Sequence, residues 1–120
     1  MLVREIKELL EATIYACEEK ENMTISTACG SDLMSDVLAF VKEQAMLLTG
    51  VCNLQALRTA ELMDIKVLCM VRSKVPTDEM IDYARNCGIV LMSTTYPMFV
   101  ACGRLYNAGI VGGGKLNGIT

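Results

Sequence analysis

Residues 45–71 read AMLLTGVCNLQALRTAELMDIKVLCMV, and the reading of this stretch decides the fold. Ala45–Thr49 is a short apolar run that stops at Gly50, and Ile65–Val71 is a second. Between them Asn53 can cap a helix to about Met63, with Leu54, Leu57 and Ala60 at helical spacing. Strand, helix and strand in so short a stretch read as a βαβ unit, whose crossover is right-handed and whose strands are parallel. Neither apolar run alternates with polar residues, so the sheet is expected to be covered on both faces.

The rhythm continues downstream. Pro76-Thr77 opens a helix through Asn86, Gly88 is placed to end it, and Ile89–Met92 is the next apolar strand. Tyr96-Pro97 then begins a last helix, with proline at its first turn. Residues 45–106 are therefore expected to form βαβαβα, with parallel strands near 45–49, 66–71 and 89–92.

Upstream the signal weakens. Ser31-Asp32 can cap a helix through Phe40 with an apolar stripe of Leu33, Val37 and Phe40. Met23–Ala28 alternates loosely as a strand, Thr13–Cys17 reads as another, and Leu2, Ile6, Leu9 and Leu10 share one face of an N-terminal helix. The fold class is α/β, a mostly parallel sheet with helices on both faces. Residues 1–110 form the domain, and the glycine-rich 111–120 is expected to be a flexible tail. Gly112-Gly113-Gly114-Lys115 lacks the spacing, the following Ser/Thr and the helix of a phosphate-binding loop.

Composition narrows the function classes. A net charge of −3 with dispersed Lys and Arg, two Phe and no Trp argues against nucleic-acid binding. No apolar run approaches membrane-spanning length and the first residues carry charges, so a soluble cytoplasmic chain with no membrane partner is expected. The six cysteines are scattered without C-x-x-C pairs, as expected of reduced thiols packed as small hydrophobes. With no histidine in the chain, His-based nucleophile systems are absent and a zinc site is disfavoured. Neither a catalytic set nor a cofactor or metal site is expected.

Open parallel sheets bind ligands beyond the carboxyl ends of their strands. Small polar residues gather there: Gly30, Ser31 and Asp32, then Thr49, Gly50 and Asn53, then Arg72, then Ser93 and Thr94. Together with the amides of the following helix starts they could receive a small anionic or nucleotide-like ligand. The same residue types also serve as helix caps and tight turns, so each alone reads more readily as structural. Asp32 and Asp36, one helical turn apart, admit a magnesium reading, but acidic residues at a helix start also suit the helix dipole, which we favour.

The segments Gly30-Ser31-Asp32-Leu33-Met34-Ser35-Asp36-Val37-Leu38, Asn53-x-Gln55-x-x-Arg58-Thr59-Ala60-Glu61 and Ser93-Thr94-x-Tyr96-Pro97-Met98-Phe99, with Ala101–Tyr106, resemble DRTGG-domain proteins. Where that family has Asp-Arg and Thr-Gly-Gly, this chain has Asn22-Met23 and Ser26-Thr27-Ala28, so nothing tied to that arginine or those glycines carries over. The resemblance implies a fold like the N-terminal domain of HPr kinase/phosphorylase and an accessory, regulatory, dimer-forming role. It supplies no catalytic residues. Stand-alone members encoded near hydrogenase components make a pure interaction subunit of a larger, hydrogenase-related assembly the alternative. A small carboxylate- or metal-dependent enzyme is the weakest reading.

A homodimer is expected on a second ground. With 52% hydrophobic residues in a chain this small, some apolar surface should need a partner. Residues 13–40, with Met23, Ile25, Met34 and Phe40, are the sequence's candidate for that surface.

Overall fold

The computed structural model describes residues 1–40 and 45–112. Helix α1 (Val3–Leu10) leads into strand β1 (Thr13–Ala16), and a short 3-10 turn at Glu18–Lys20 precedes β2 (Ala28–Gly30). There follow α2 (Met34–Phe40), β3 (Met46–Thr49), α3 (Leu54–Leu62), β4 (Val67–Met70), α4 (Asp78–Cys87), β5 (Val90–Ser93) and α5 (Met98–Asn107). Among the described residues the strands form one sheet in the order β1-β5-β4-β3-β2. Strands β2 to β5 run parallel, as the crossover rhythm predicts, and β1 joins β5 antiparallel.

Crossovers of one hand, stepping one way across the sheet, place α2, α3 and α4 on a single face. The packing of α3 on α2 and α4, and of α5 on α1, β2 and β3, agrees with this. The row Leu47–Leu68–Leu91 and the next row Leu48–Cys69–Met92 point to opposite faces, and all six side chains are buried. Both faces are therefore covered.

The caps fall where their chemistry requires. Asn53 accepts the Ala56 N–H at 3.1 Å, and Thr77 accepts that of Met80 at 3.2 Å. Gly88 closes α4 at φ +75°, a conformation glycine adopts without strain. Pro97 stands immediately before α5.

The N-terminal third departs from expectation. The strand expected at 23–28 forms instead at Ala28–Gly30. Within the earlier stretch, Thr24 and Thr27 make isolated bridges to Leu2 and Val111 rather than a ladder. Leu33, expected on the buried stripe of α2, precedes the helix and is exposed, so Met34 and Val37 carry the burial. The side chain of Phe40, also placed on that stripe, lies outside the described residues. Ile25 and Met34 are buried within the chain itself, so neither needs a partner to cover it, whereas Met23 is only partly buried. Residues 113–120 of the expected tail lie outside the described residues. Val111 donates to the Ser26 carbonyl at 3.3 Å and accepts the Ala28 N–H at 3.1 Å. Paired backbone thus runs one residue past the boundary expected at 110.

Candidate functional site

The carboxyl ends of β2, β3 and β4 bring Asp32, Thr49, Gly50 and Arg72 together. One Asp32 carboxylate oxygen accepts the Gly50 N–H at 2.6 Å and faces the Thr49 hydroxyl at 3.4 Å. The other lies 3.7 Å from an Arg72 guanidinium nitrogen. Both side chains are about half exposed, so solvent screens the pair and its contribution to stability is small. A Cβ at residue 50 would meet the Arg72 guanidinium, the far end of a flexible side chain that could swing aside.

Arg72 reaches this position through unusual backbone. Arg72 and Ser73 are both left-handed, at φ +64° and +61°, although neither is glycine. Such conformations are disfavoured by roughly 1–2 kcal/mol per residue and persist where surrounding bonds enforce them. Here the Arg72 N–H donates to the Tyr96 carbonyl and the Ser73 N–H to that of Thr94, each at 3.0 Å. The loop after β4 is thus pinned to the loop after β5.

The other expected site residues find partners within the chain. Asn53 is exposed and caps α3. The Ser31 hydroxyl accepts the Leu33 N–H at 3.1 Å in a local turn. Ser93 donates to the Lys74 carbonyl at 2.6 Å. Thr94 is buried; its hydroxyl donates to the Leu10 carbonyl at 2.6 Å and accepts the Tyr96 N–H at 3.2 Å. At Gly30 a Cβ would lie 2.8 Å from the Met98 sulfur and 2.9 Å from that of Cys102, so this glycine admits α5 against the sheet. Asp36 sits in the first turn of α2, where the dipole favours a carboxylate.

Three features escaped the sequence reading. The Arg104 guanidinium lies over the Tyr96 ring, 4.6 Å from its centroid. Tyr96 in turn donates to Glu11, whose carboxylate holds the phenol above its ordinary pKa. Glu11, Thr13, Ser73, Lys74, Ser93 and Thr95 line an open hollow of about 210 Å³ beside the Arg72 loop. Residues from α1's end, β1 and two later loops meet only through the antiparallel pairing of β1, for which the sequence carries no local signal.

The thiols have the opposite of nucleophilic character. Cys69 is fully buried, and burial pushes its thiol up to about 12; burial likewise raises Cys29 to about 11. Among the described residues no group of three or more Cys, Asp or Glu is placed to hold a metal ion.

Asp32 already occupies the Gly50 amide, so the expected cradle of free amides is filled there from within. Arg72 has five N–H donors in total, and its half-exposed guanidinium keeps donors open to solvent beside the carboxylate.

Neither a family model nor a curated protein matches the sequence. In fold, the chain is similar to the crystal structure of the CBS and DRTGG domains of the regulatory region of Clostridium perfringens pyrophosphatase, complexed with the activator diadenosine tetraphosphate. The TM-score is 0.72 at 16% sequence identity, over 87% of this chain. The match spans 45% of that structure's length, and what it establishes is a shared α/β fold.

Proposed function

We propose that this chain is a non-catalytic, cytoplasmic regulatory module of DRTGG type, which pairs with a second copy and binds a small anionic or nucleotide-like ligand at its strand-end loops. The observation that carries the reading is Arg72. Two consecutive left-handed residues and two backbone bonds to the β5 loop set the backbone from which one half-exposed guanidinium stands at the carboxyl edge of a parallel sheet. Structure that maintains strain to present a cation supports a role in binding. The likeness to a regulatory region crystallised with a nucleotide activator, and the DRTGG-like segments around Asp32 and Ser93, support the same reading. No helix among the described residues is long and apolar enough to cross a membrane.

The second reading, a pure interaction subunit, is favoured by one observation: Asn53, Ser93 and Thr94 satisfy backbone groups of the chain itself. Calorimetric titration with AMP, ADP, diadenosine tetraphosphate and inorganic pyrophosphate separates the two. Binding of at least one compound is expected, and Arg72→Ala should weaken it about tenfold to a hundredfold, the worth of hydrogen bonds to a charged group. Silence from all four compounds, or an Arg72→Ala variant that binds as well as the parent, would favour the interaction subunit.

A further inference from the structure

The Asp32 carboxylate sits among donors as a bound anion would. Its Oδ1 accepts the Gly50 N–H at 2.6 Å, and the Thr49 hydroxyl donates to the same oxygen at 3.4 Å. Its Oδ2 lies 3.7 Å from the Arg72 guanidinium. Thr49 is wholly buried, and its hydroxyl also accepts the Val51 N–H at 3.1 Å. A hydroxyl that accepts on one side has its single proton left to donate on the other, so Thr49 aims that proton at the carboxylate. These three donors come from the ends of β3 and β4, whereas Asp32 follows β2. A buried hydroxyl, a backbone amide and a guanidinium thus converge from two neighbouring strands on one point at the sheet's carboxyl edge.

The carboxylate that fills this point is held loosely. Its side chain is half exposed, and an ion pair at 3.7 Å in solvent contributes little. Neighbouring groups fix the backbone there instead: the Ser31 N–H donates to the Leu48 carbonyl at 3.0 Å, and the Ser31 hydroxyl accepts the Leu33 N–H. Rotation of the Asp32 side chain alone therefore empties the cradle without disturbing β2 or α2. What displaces it follows from charge. A free carboxylate would replace like with like, against a rival whose tether gives it a high effective concentration. A terminal phosphoryl group brings about two negative charges and three acceptor oxygens, one for each donor group.

We propose that the Gly50 N–H, the Thr49 hydroxyl and Arg72 form a phosphoryl site that Asp32 occupies as an internal competitor, yielding it to a ligand that ends in a phosphoryl group. This rests on the anion-binding reading above and names the group that is bound. It also gives Asp32 a role opposite to the ligand contact expected from sequence, since its carboxylate lowers affinity and rejects weaker anions.

Calorimetric titration of the full chain with inorganic pyrophosphate and ADP tests it. Asp32→Ala should bind both about tenfold more tightly than the parent, because the open cradle no longer has to be drawn from a mostly filled population. Adding Arg72→Ala should cancel the gain, and diadenosine tetraphosphate, whose phosphates are all bridging, should gain less. Asp36→Ala removes an equal charge from an exposed position four residues on and should leave affinity as in the parent. Asp32→Asn keeps an acceptor for the Gly50 N–H, so it folds even where the alanine variant does not, and it too should bind more tightly. Asp32 variants that are folded by circular dichroism yet bind no tighter than the parent overturn the inference, as does a gain that Asp36→Ala matches. If the parent binds and neither Asp32 variant gains, the proposed function stands and the competitor alone falls. A silent parent beside a binding variant does the reverse, upholding the competitor against ligand binding by the native chain.

Discussion

Thr94 ties the end of α1 to the loop after β5. Its buried hydroxyl donates to the Leu10 carbonyl and accepts the Tyr96 N–H, so Thr94→Val leaves two backbone groups without partners. Urea unfolding should show a loss of about 1–3 kcal/mol, the usual penalty for a buried polar group left unsatisfied. A loss below about 0.5 kcal/mol, the range of neutral surface changes, would mean that water replaces the hydroxyl. Residues of this kind are where sequence reading reaches its limit. Thr49, Asn53, Ser93 and Thr94 look alike as small polar groups at strand ends, and the partner each finds decides its role. Thr49 meets Asp32 in the exposed cluster, while Ser93 bonds the Lys74 carbonyl 19 positions away in sequence. Arg72 was legible as a cation at a strand end. Its left-handed backbone was not, because neither Arg72 nor Ser73 belongs to the residue types that favour positive φ.

Helix α4 shows how an element is closed at both ends by sequence alone. Thr77 satisfies an orphan amide at its start, and Gly88 turns the chain at its end. Gly88→Ala should lower stability by about 1–2 kcal/mol, because an L residue at φ +75° is strained. It would also bring a methyl to 2.8 Å from the Lys20 amine, which donates to the Gly88 carbonyl. A thermal midpoint equal to the parent's would refute this account of the cap. Such ends made α3, α4 and the strands between them readable, since apolar run, cap and glycine agree. Strand β2 lacked that agreement. Its Ala-Cys-Gly has little β propensity, and it is held by pairing with β3 rather than by its own residues. Apart from Ala28, the better-looking run at 23–28 meets α1 and Val111 instead of the sheet.

For the molecule as a whole, the buried thiols predict how stability responds to alkali. Cys69 stands at about 12 in the folded chain against an ordinary value of 9.0, and Cys29 at about 11. Between pH 9 and 12 the unfolded chain therefore holds fewer protons than the folded one, and stability falls as pH rises. Below pH 9 both states keep the thiols protonated and this contribution is flat. Tyr83 and Tyr96, raised by their bonds to Glu61 and Glu11, act with the same sign at higher pH. Chemical unfolding at a series of pH values should show the decline beginning near 9. Cys69→Val should make it shallower; superimposable curves for parent and variant would show that this thiol ionises as freely folded as unfolded.

The antiparallel place of β1 has a consequence for synthesis. Strand β1 pairs with β5, and Leu10 reaches Thr94 across 84 positions of sequence. On the ribosome the units from β2 to β5 can assemble from neighbouring segments as they emerge. Strand β1 must wait for β5, and bringing such distant segments together is slow because the intervening loop must close. Until then Val3, Ile6 and Leu10, which end wholly buried, have no sheet to cover them. A nascent chain halted before Val90 would carry that apolar helix unprotected, a handhold for chaperones and a hazard in their absence.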